Sequence, residues 1–279
     1  ISMDFLIQNF DKWENIPEDS FVITFDDGWI DFHDVAYPIL SKSKIPATVY
    51  LTTGFVSSEC GYWQERLNSL LLQIVANKKV FSKKDDIVSM PEINLKLKDL
   101  ISKSEDTQII FKFIGYLKKF THDIILKTIS DLEDFLKEYS IIISEDEHRS
   151  FVNWDEINSI KDPNISFGSH TVNHPILTNE QTNVVKDETN KSKEVIEKET
   201  GRNVLHFCYP NGNYDDGIKK IVSESYKSAC TTKAGFVSKD SDIYGLNRIG
   251  INEEMITDWR GNFSKYVFML SMFLESARR

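Results

Sequence analysis

Short apolar runs at 21–25, 47–52, 165–168, 204–209 and 228–232 are the strongest constraint on what this chain can fold into. Each has the length and composition of a buried strand rather than of a helix. Helical patterns lie between some of them, at 34–41 and 180–200. The second is mostly polar, carries Val184, Val185, Val195 and Ile196, and stops at Gly201, a residue suited to the left-handed position after a helix. Strands alternating with helices predict an α/β fold built on a parallel sheet or barrel. At 279 residues the chain can bury a substantial core.

The stretch from about 62 to 150 breaks this rhythm. Leu67, Leu70, Leu71 and Ile74, then Phe111, Ile114, Leu117 and Phe120, recur at helical spacing. We read it as a helical insertion within a single domain spanning 1–279. Regular structure resumes at Asn153, where Asn153 and Glu156 have the spacing of a capping box. The apolar run Tyr266 to Leu270 is too short to span a membrane and is expected to pack as a terminal helix.

Composition excludes some partners. A formal net charge of -10 offers no basic excess to displace counterions from a nucleic-acid backbone, so no nucleic-acid partner is expected. Three cysteines, Cys60, Cys208 and Cys230, make a poor disulfide framework and favour a reducing compartment. The start at Ile1-Ser2-Met3-Asp4 has no basic segment followed by an apolar core, so no signal peptide is visible and a cytoplasmic location is favoured over secretion.

Two motifs carry chemistry. Thr24-Phe25-Asp26-Asp27-Gly28 places adjacent carboxylates at a strand end, an arrangement that is costly unless a cation or proton intervenes. Taken alone it reads first as an Asp-Gly turn. Gly168-Ser169-His170-Thr171-Val172-Asn173-His174-Pro175 sets two histidines four apart, able to face one metal if the segment turns as a helix does. Taken alone these are a strand-end histidine and one on a solvated turn. Both motifs follow predicted parallel strands at their C-terminal ends, where α/β sheets build their sites. Asp, His and His suit Zn²⁺ or a similar divalent ion, and the second carboxylate is left for proton transfer.

Together these motifs resemble the first two motifs of the polysaccharide deacetylases of carbohydrate esterase family 4. Tyr37-Pro38-Ile39-Leu40, Ile45-Pro46-Ala47-Thr48-Val49-Tyr50-Leu51 and Phe207-Cys208-Tyr209-Pro210-Asn211-Gly212 are similar as well. The likeness covers roughly 20–60 and 152–252 and leaves the helical insertion outside it. The resemblance implies a distorted (β/α) barrel and removal of an N- or O-acetyl group from a sugar in a polysaccharide or its precursor. It implies that Asp27, His170 and His174 hold a divalent metal, most simply Zn²⁺, and that Asp26 is the general base that takes a proton from the attacking water. A backbone N–H near Asn211 is implied as oxyanion donor, with Tyr209, Pro210 and Trp29 beside the substrate. The rings of Trp29, Tyr62, Trp63 and Tyr214 suit either sugar stacking or the core.

The chain departs from the family pattern twice. Cys208 stands where an arginine usually orients the base, and a buried strand residue is the reading we give it. Arg248 lies where a later strand returns to the site, so it is either the substitute partner of Asp26 or a surface arginine. No histidine follows His206 to act as general acid, and His33 and His206 read as structural. Three explanations compete: an acid on a segment preceding Ile1, which we favour, another proton donor, or impaired catalysis. The alternatives to a sugar deacetylase are accordingly a carbohydrate-binding protein that keeps the metal site, or a deformylase or other amidohydrolase.

Overall fold

A computed structural model describes residues 1–58, 62–81, 84, 86–103, 108–141 and 150–277. It contains a sheet of six parallel strands in sequential order: β1 (Ile23–Phe25), β2 (Ala47–Leu51), β3 (Ile165–Ser169), β4 (His206–Cys208), β5 (Ser228–Ala234) and β6 (Leu246–Arg248). The strands form a half-barrel. The helices are α1 (Met3–Gln8), α2 (Tyr37–Ser43), α3 (Trp63–Ala76), α4 (Lys78–Phe81), α5 (Pro91–Ser102), α6 (Ile109–Leu117), α7 (His122–Glu138), α8 (Trp154–Ser159), α9 (Thr182–Thr200), α10 (Asp216–Ser225) and α11 (Lys265–Ala277). The chain divides into two compact units, residues 1–56 with 152–279, and residues 57–151.

The first unit is built by strand alternation. Val49, Leu51, Phe167, Phe207 and Ala229 belong to one buried cluster with Ile157, Val185, Ile196, Ile218 and Val222 of the helices. Tyr50, Cys208, Cys230 and Leu246 belong to another, closed by Met3 and Leu6 of α1. Burying a side chain of this size stabilises by about 1.5–3 kcal/mol relative to leaving it in water, so α1 is held by its two anchors rather than by its short length. Gly168 makes room for this inner face, because a Cβ there would lie 2.5 Å from the Tyr50 ring. Asp4 of α1 also accepts from His206 Nε2 at 3.2 Å, while His206 Nδ1 lies 2.9 Å from Ser228 Oγ.

Strand limits differ from the sequence reading where side chains meet water. Phe21 is 67% exposed, so pairing begins at Ile23. The fourth strand shortens to three residues and the fifth lengthens to Ala234. The helix read at 34–41 starts as a π turn over Phe32–Ala36, with Tyr37 N–H reaching back to Phe32 O, before α2 takes over. Pro38 brings no N–H to the ladder at that point, which loosens the first turn. α9 ends at Gly201 in the left-handed conformation (φ 67°). Asn153 and Glu156 form a reciprocal cap on α8, both bonds 2.8 Å.

The second unit is helical. Leu67, Leu70, Leu71 and Ile74 of α3 pack with Leu97 of α5, Leu117 of α6 and Leu132 and Leu136 of α7, and Arg66 pairs with Glu133 at 2.6 Å. Trp63 is buried in this cluster and Tyr62 packs against it. The terminal run does form α11, but the expected packing fails: Tyr266, Met269 and Leu270 are exposed, because apolar side chains surround the helix and a single contact side cannot cover them. No helix among the described residues is long and apolar enough to cross a membrane. Cys60 lies outside the described residues, and Cys208 and Cys230 are free and buried.

Candidate metal centre

The site lies at the C-terminal ends of β1, β3, β4 and β6. Beyond β1 the chain turns sharply, with Asp27 (φ 69°) and Gly28 (φ 82°) both left-handed and Gly28 N–H bonded to Asp26 O at 2.9 Å. Asp tolerates this conformation better than most residues, whereas a Cβ at Gly28 would be strained and 2.9 Å from Leu51 Cδ2. The turn sends two consecutive carboxylates in different directions.

Asp27 meets the histidines. Its Oδ1 is 3.5 Å from His170 Nε2 and 3.6 Å from His174 Nε2. The segment between the histidines is not a helical turn, as the spacing suggested. It is a bend with Thr171 (φ 68°) and His174 (φ 56°) left-handed, closed by His174 N–H donating to Thr171 Oγ1 at 3.0 Å. This short side-chain bond offers the backbone an alternative to the helix.

The protonation pattern follows from the hydrogen bonds. His170 Nδ1 is 2.7 Å from Cys208 O, and a carbonyl only accepts, so Nδ1 carries the proton and Nε2 presents a lone pair to the site. Asp27 Oδ2 accepts from Trp29 Nε1–H at 3.1 Å, but Asp27 Oδ1 is buried with no hydrogen-bond partner. An orphaned carboxylate oxygen facing an imidazole lone pair is unfavourable unless a cation lies between them. Asp27, His170 and His174 therefore fit a divalent ion with nitrogen and oxygen ligands. Burial, joined by the charge of Asp26, pushes the Asp27 carboxyl above its usual value despite the hydrogen bond it accepts from Trp29.

Asp26 has a different environment. Arg248 grips it as a fork, Nη1 to Oδ1 at 2.7 Å and Nη2 to Oδ2 at 2.6 Å. The guanidinium is itself fixed by Nε to Thr231 O at 2.8 Å and Nη1 to Thr24 Oγ1 at 3.2 Å. Burial pushes the Asp26 carboxyl up, but the hydrogen bonds and the charge of Arg248 outweigh it and hold the group below the usual carboxylate range. Cys208 is buried, and its Sγ is 3.1 Å from Arg248 Nη2 and 3.7 Å from Asp26 Oδ2. Reading Cys208 only as a buried strand residue therefore understates it, since it also fills the space beside the fork. Burial and then the Asp26 charge push its thiol well above the ordinary value, so it stays neutral.

The loop after β4 holds Asn211 in a left-handed conformation (φ 56°) between Pro210 and Gly212. A Cβ on Gly212 would lie 2.1 Å from Thr232 Oγ1, which in turn donates to Asn211 O at 3.1 Å. Tyr209 corrects the sequence reading: its ring is wholly buried, stacked 4.7 Å from Tyr214, with its hydroxyl donating to Tyr244 O. It packs the core and presents no face to a sugar, and Pro210 is likewise buried. Trp29 is half-buried, and its indole N–H orients Asp27. His33 pairs with Asp34 at 2.8 Å, and His206 serves the α1 contact described above.

Sequence reasoning passed over Thr24 and Thr231 as supports of Arg248. Thr24 was findable: it stands two residues before Asp26, hence on the same face of β1. The Thr231 carbonyl had no signal, because backbone acceptors leave none.

Comparison with known proteins extends these observations. A family model described as polysaccharide deacetylase matches residues 14–84 and 122–226. YxkH of Bacillus subtilis (strain 168) is 24% identical over 109 residues, which are 39% of this chain and 39% of that protein's length. Among solved structures, the Streptococcus pyogenes deacetylase PplD in complex with acetate is similar over 98% of this chain and 78% of its own, with 22% identity and a TM-score of 0.57. The BpsB deacetylase domain from Bordetella bronchiseptica is similar over 89% of this chain and 77% of its own (14% identity, TM-score 0.54). IcaB from Ammonifex degensii is similar over 99% and 90% (13% identity, TM-score 0.52). These structural likenesses show a shared fold.

Proposed function

Because the chain belongs to the polysaccharide deacetylase family, we propose that its site removes an acetyl group from a sugar of a polysaccharide or its precursor with the help of a divalent metal. The observation that carries this reading is the orphaned Asp27 Oδ1 facing His170 and His174 Nε2, one residue from a carboxylate locked by Arg248. In this reading Asp27, His170 and His174 hold the metal, and Zn²⁺ suits their nitrogen and oxygen donors. When bound, such an ion lowers the pKa of a water toward neutrality and polarises the acetyl carbonyl.

Asp26 accepts the proton of the attacking water. A carboxylate held below its usual range is a weak base, so it serves only a water already made acidic. Arg248 takes one lone pair from each Asp26 oxygen and the Cys208 thiol faces Oδ2, which leaves Oδ1 to receive that proton. The backbone N–H of Asn211, on a loop that Gly212 and Thr232 pin to β5, is the proposed donor to the developing oxyanion. Trp29 steadies Asp27 and borders the substrate. Location follows the substrate in this reading: a sugar precursor sets the activity in the cytoplasm, an assembled polymer outside it.

A second reading has one observation in its favour. Among the described residues, His33 and His206 are engaged by Asp34 and Asp4, and neither joins the candidate ligand clusters as a general acid. A carbohydrate-binding protein that retains the metal site would have this composition. Acetate release from a panel of acetylated glucosamine and other acetylated sugars, with and without added Zn²⁺, separates the two. Zinc-dependent release that Asp26→Asn abolishes supports the hydrolase. Sugar binding without release by any member of the panel supports the second reading.

A further inference from the structure

The histidine-bearing loop is strained and has a dedicated anchor. Thr171 and His174 both sit in the left-handed region, costly for a β-branched residue and uncommon for any residue but glycine. Such a bend persists only where its surroundings over-determine it. On one side Thr53 N–H donates to Thr171 O at 3.2 Å and Gly54 N–H to Val172 O at 2.7 Å. The approach is so close that a Cβ on Gly54 would lie 2.6 Å from Val172 O. On the other side stands Glu188 of α9, a carboxylate only 8% exposed. Its Oε2 accepts from the backbone N–H of Val172 at 2.8 Å and of Asn173 at 2.9 Å, and its Oε1 accepts from Asn173 Nδ2 at 2.7 Å.

We propose that Glu188 is a positioning residue for the metal centre: its buried carboxylate collects the N–H groups of the 171–174 bend and so fixes His174 against Asp27 and His170. The inference rests on the metal-site reading above. Glutamate is seldom buried unless its charge is used, and three donors converging on one carboxylate are a strong, charge-assisted set. Without that charge the bend relaxes toward ordinary backbone angles and His174 leaves the geometry in which its Nε2 is 3.6 Å from Asp27 Oδ1.

The test measures Zn²⁺ affinity of the full chain by competition with a chromophoric chelator, and the visible spectrum of the Co²⁺-loaded protein. Partners of this kind typically tune metal affinity by about 10- to 100-fold, and Glu188→Gln is expected to lose that much, with an altered Co²⁺ spectrum. Gly54→Ala, which pushes the same bend from the opposite side without changing charge, is expected to weaken Zn²⁺ in the same direction. It also carries the test if Glu188→Gln does not fold. Glu194→Gln, on the exposed side of α9, is expected to leave affinity unchanged. A folded Glu188→Gln protein with wild-type affinity and spectrum overturns the proposal while leaving the metal site intact. Full Zn²⁺ retention by His174→Ala overturns the metal-site reading itself, and this inference with it.

Discussion

Arg248 and Asp26 form the contact on which the chemistry at the residue scale turns. The folded chain holds the Asp26 proton less tightly than the unfolded chain, where an aspartate titrates near 3.9. The pair's contribution to stability is therefore complete above about pH 4 and is lost as pH falls through the lower folded value. Arg248→Met leaves a mostly buried carboxylate without its fork, at a cost of about 3 kcal/mol at neutral pH, the lower end for a broken buried pair because both side chains keep some solvent contact. Urea unfolding should show that difference in full at pH 7 and reduced at pH 3. The same substitution should move the acidic limb of acetate release to higher pH, and an unchanged limb would remove Arg248 from the role proposed for it. The candidate site was legible here because Asp-Asp-Gly and His-x3-His are dense in chemistry and stand at strand ends. The arginine was legible only as one of two readings, since a cation far along the chain gains its meaning from the sheet that brings it back.

Elements place these residues by how strands and helices begin and end. Strand ends were readable to within a few residues, because the strands are continuous apolar runs buried over most of their length, as β2 and β4 are throughout, but solvent trims their tips, as at Phe21. The cap on α8 was readable outright, since Asn153 and Glu156 satisfy each other's backbone donors locally. Asn153→Ala should cost about 1 kcal/mol of stability and leave metal affinity unchanged, as measured by denaturant midpoint and chelator competition. The two histidines were expected to meet only if their segment turned as a helix does; they meet on a bend instead, because period alone cannot register a Thr171 hydroxyl competing for the next turn's N–H. Tyr209 was misassigned for a related reason: its neighbours in sequence line the site, but strand alternation turns its ring into the core. The apolar terminal helix was expected to pack and leaves Tyr266, Met269, Leu270 and Leu274 exposed, a contact preference that sequence periodicity does not encode.

At the scale of the whole molecule, the sequential parallel order of β1 to β6 brings segments more than two hundred residues apart to one edge. The alternation of short apolar runs with helices implied a parallel sheet or barrel but not its strand order, and the family resemblance implied a distorted (β/α) barrel. The helical unit at 57–151 was read from its own leucine spacing, since the motifs that carry the resemblance lie in other parts of the chain; the family model nevertheless matches its two ends, 57–84 and 122–151. Binding of the proposed metal is expected to couple the site to global stability. The raised Asp27 pKa means that its ionised form is costly in the folded chain at neutral pH, and a bound cation removes that cost. Zinc at a hundredfold excess over its dissociation constant should stabilise the fold by about 2.7 kcal/mol, and chelation should reverse it, as read by thermal unfolding. The most direct check is elemental metal analysis of the wild-type, Asp26→Asn and His174→Ala proteins after loading with Zn²⁺ and desalting. About one equivalent of metal is expected in the first two and little in the third; a His174→Ala protein that keeps its full equivalent would contradict the proposed metal site.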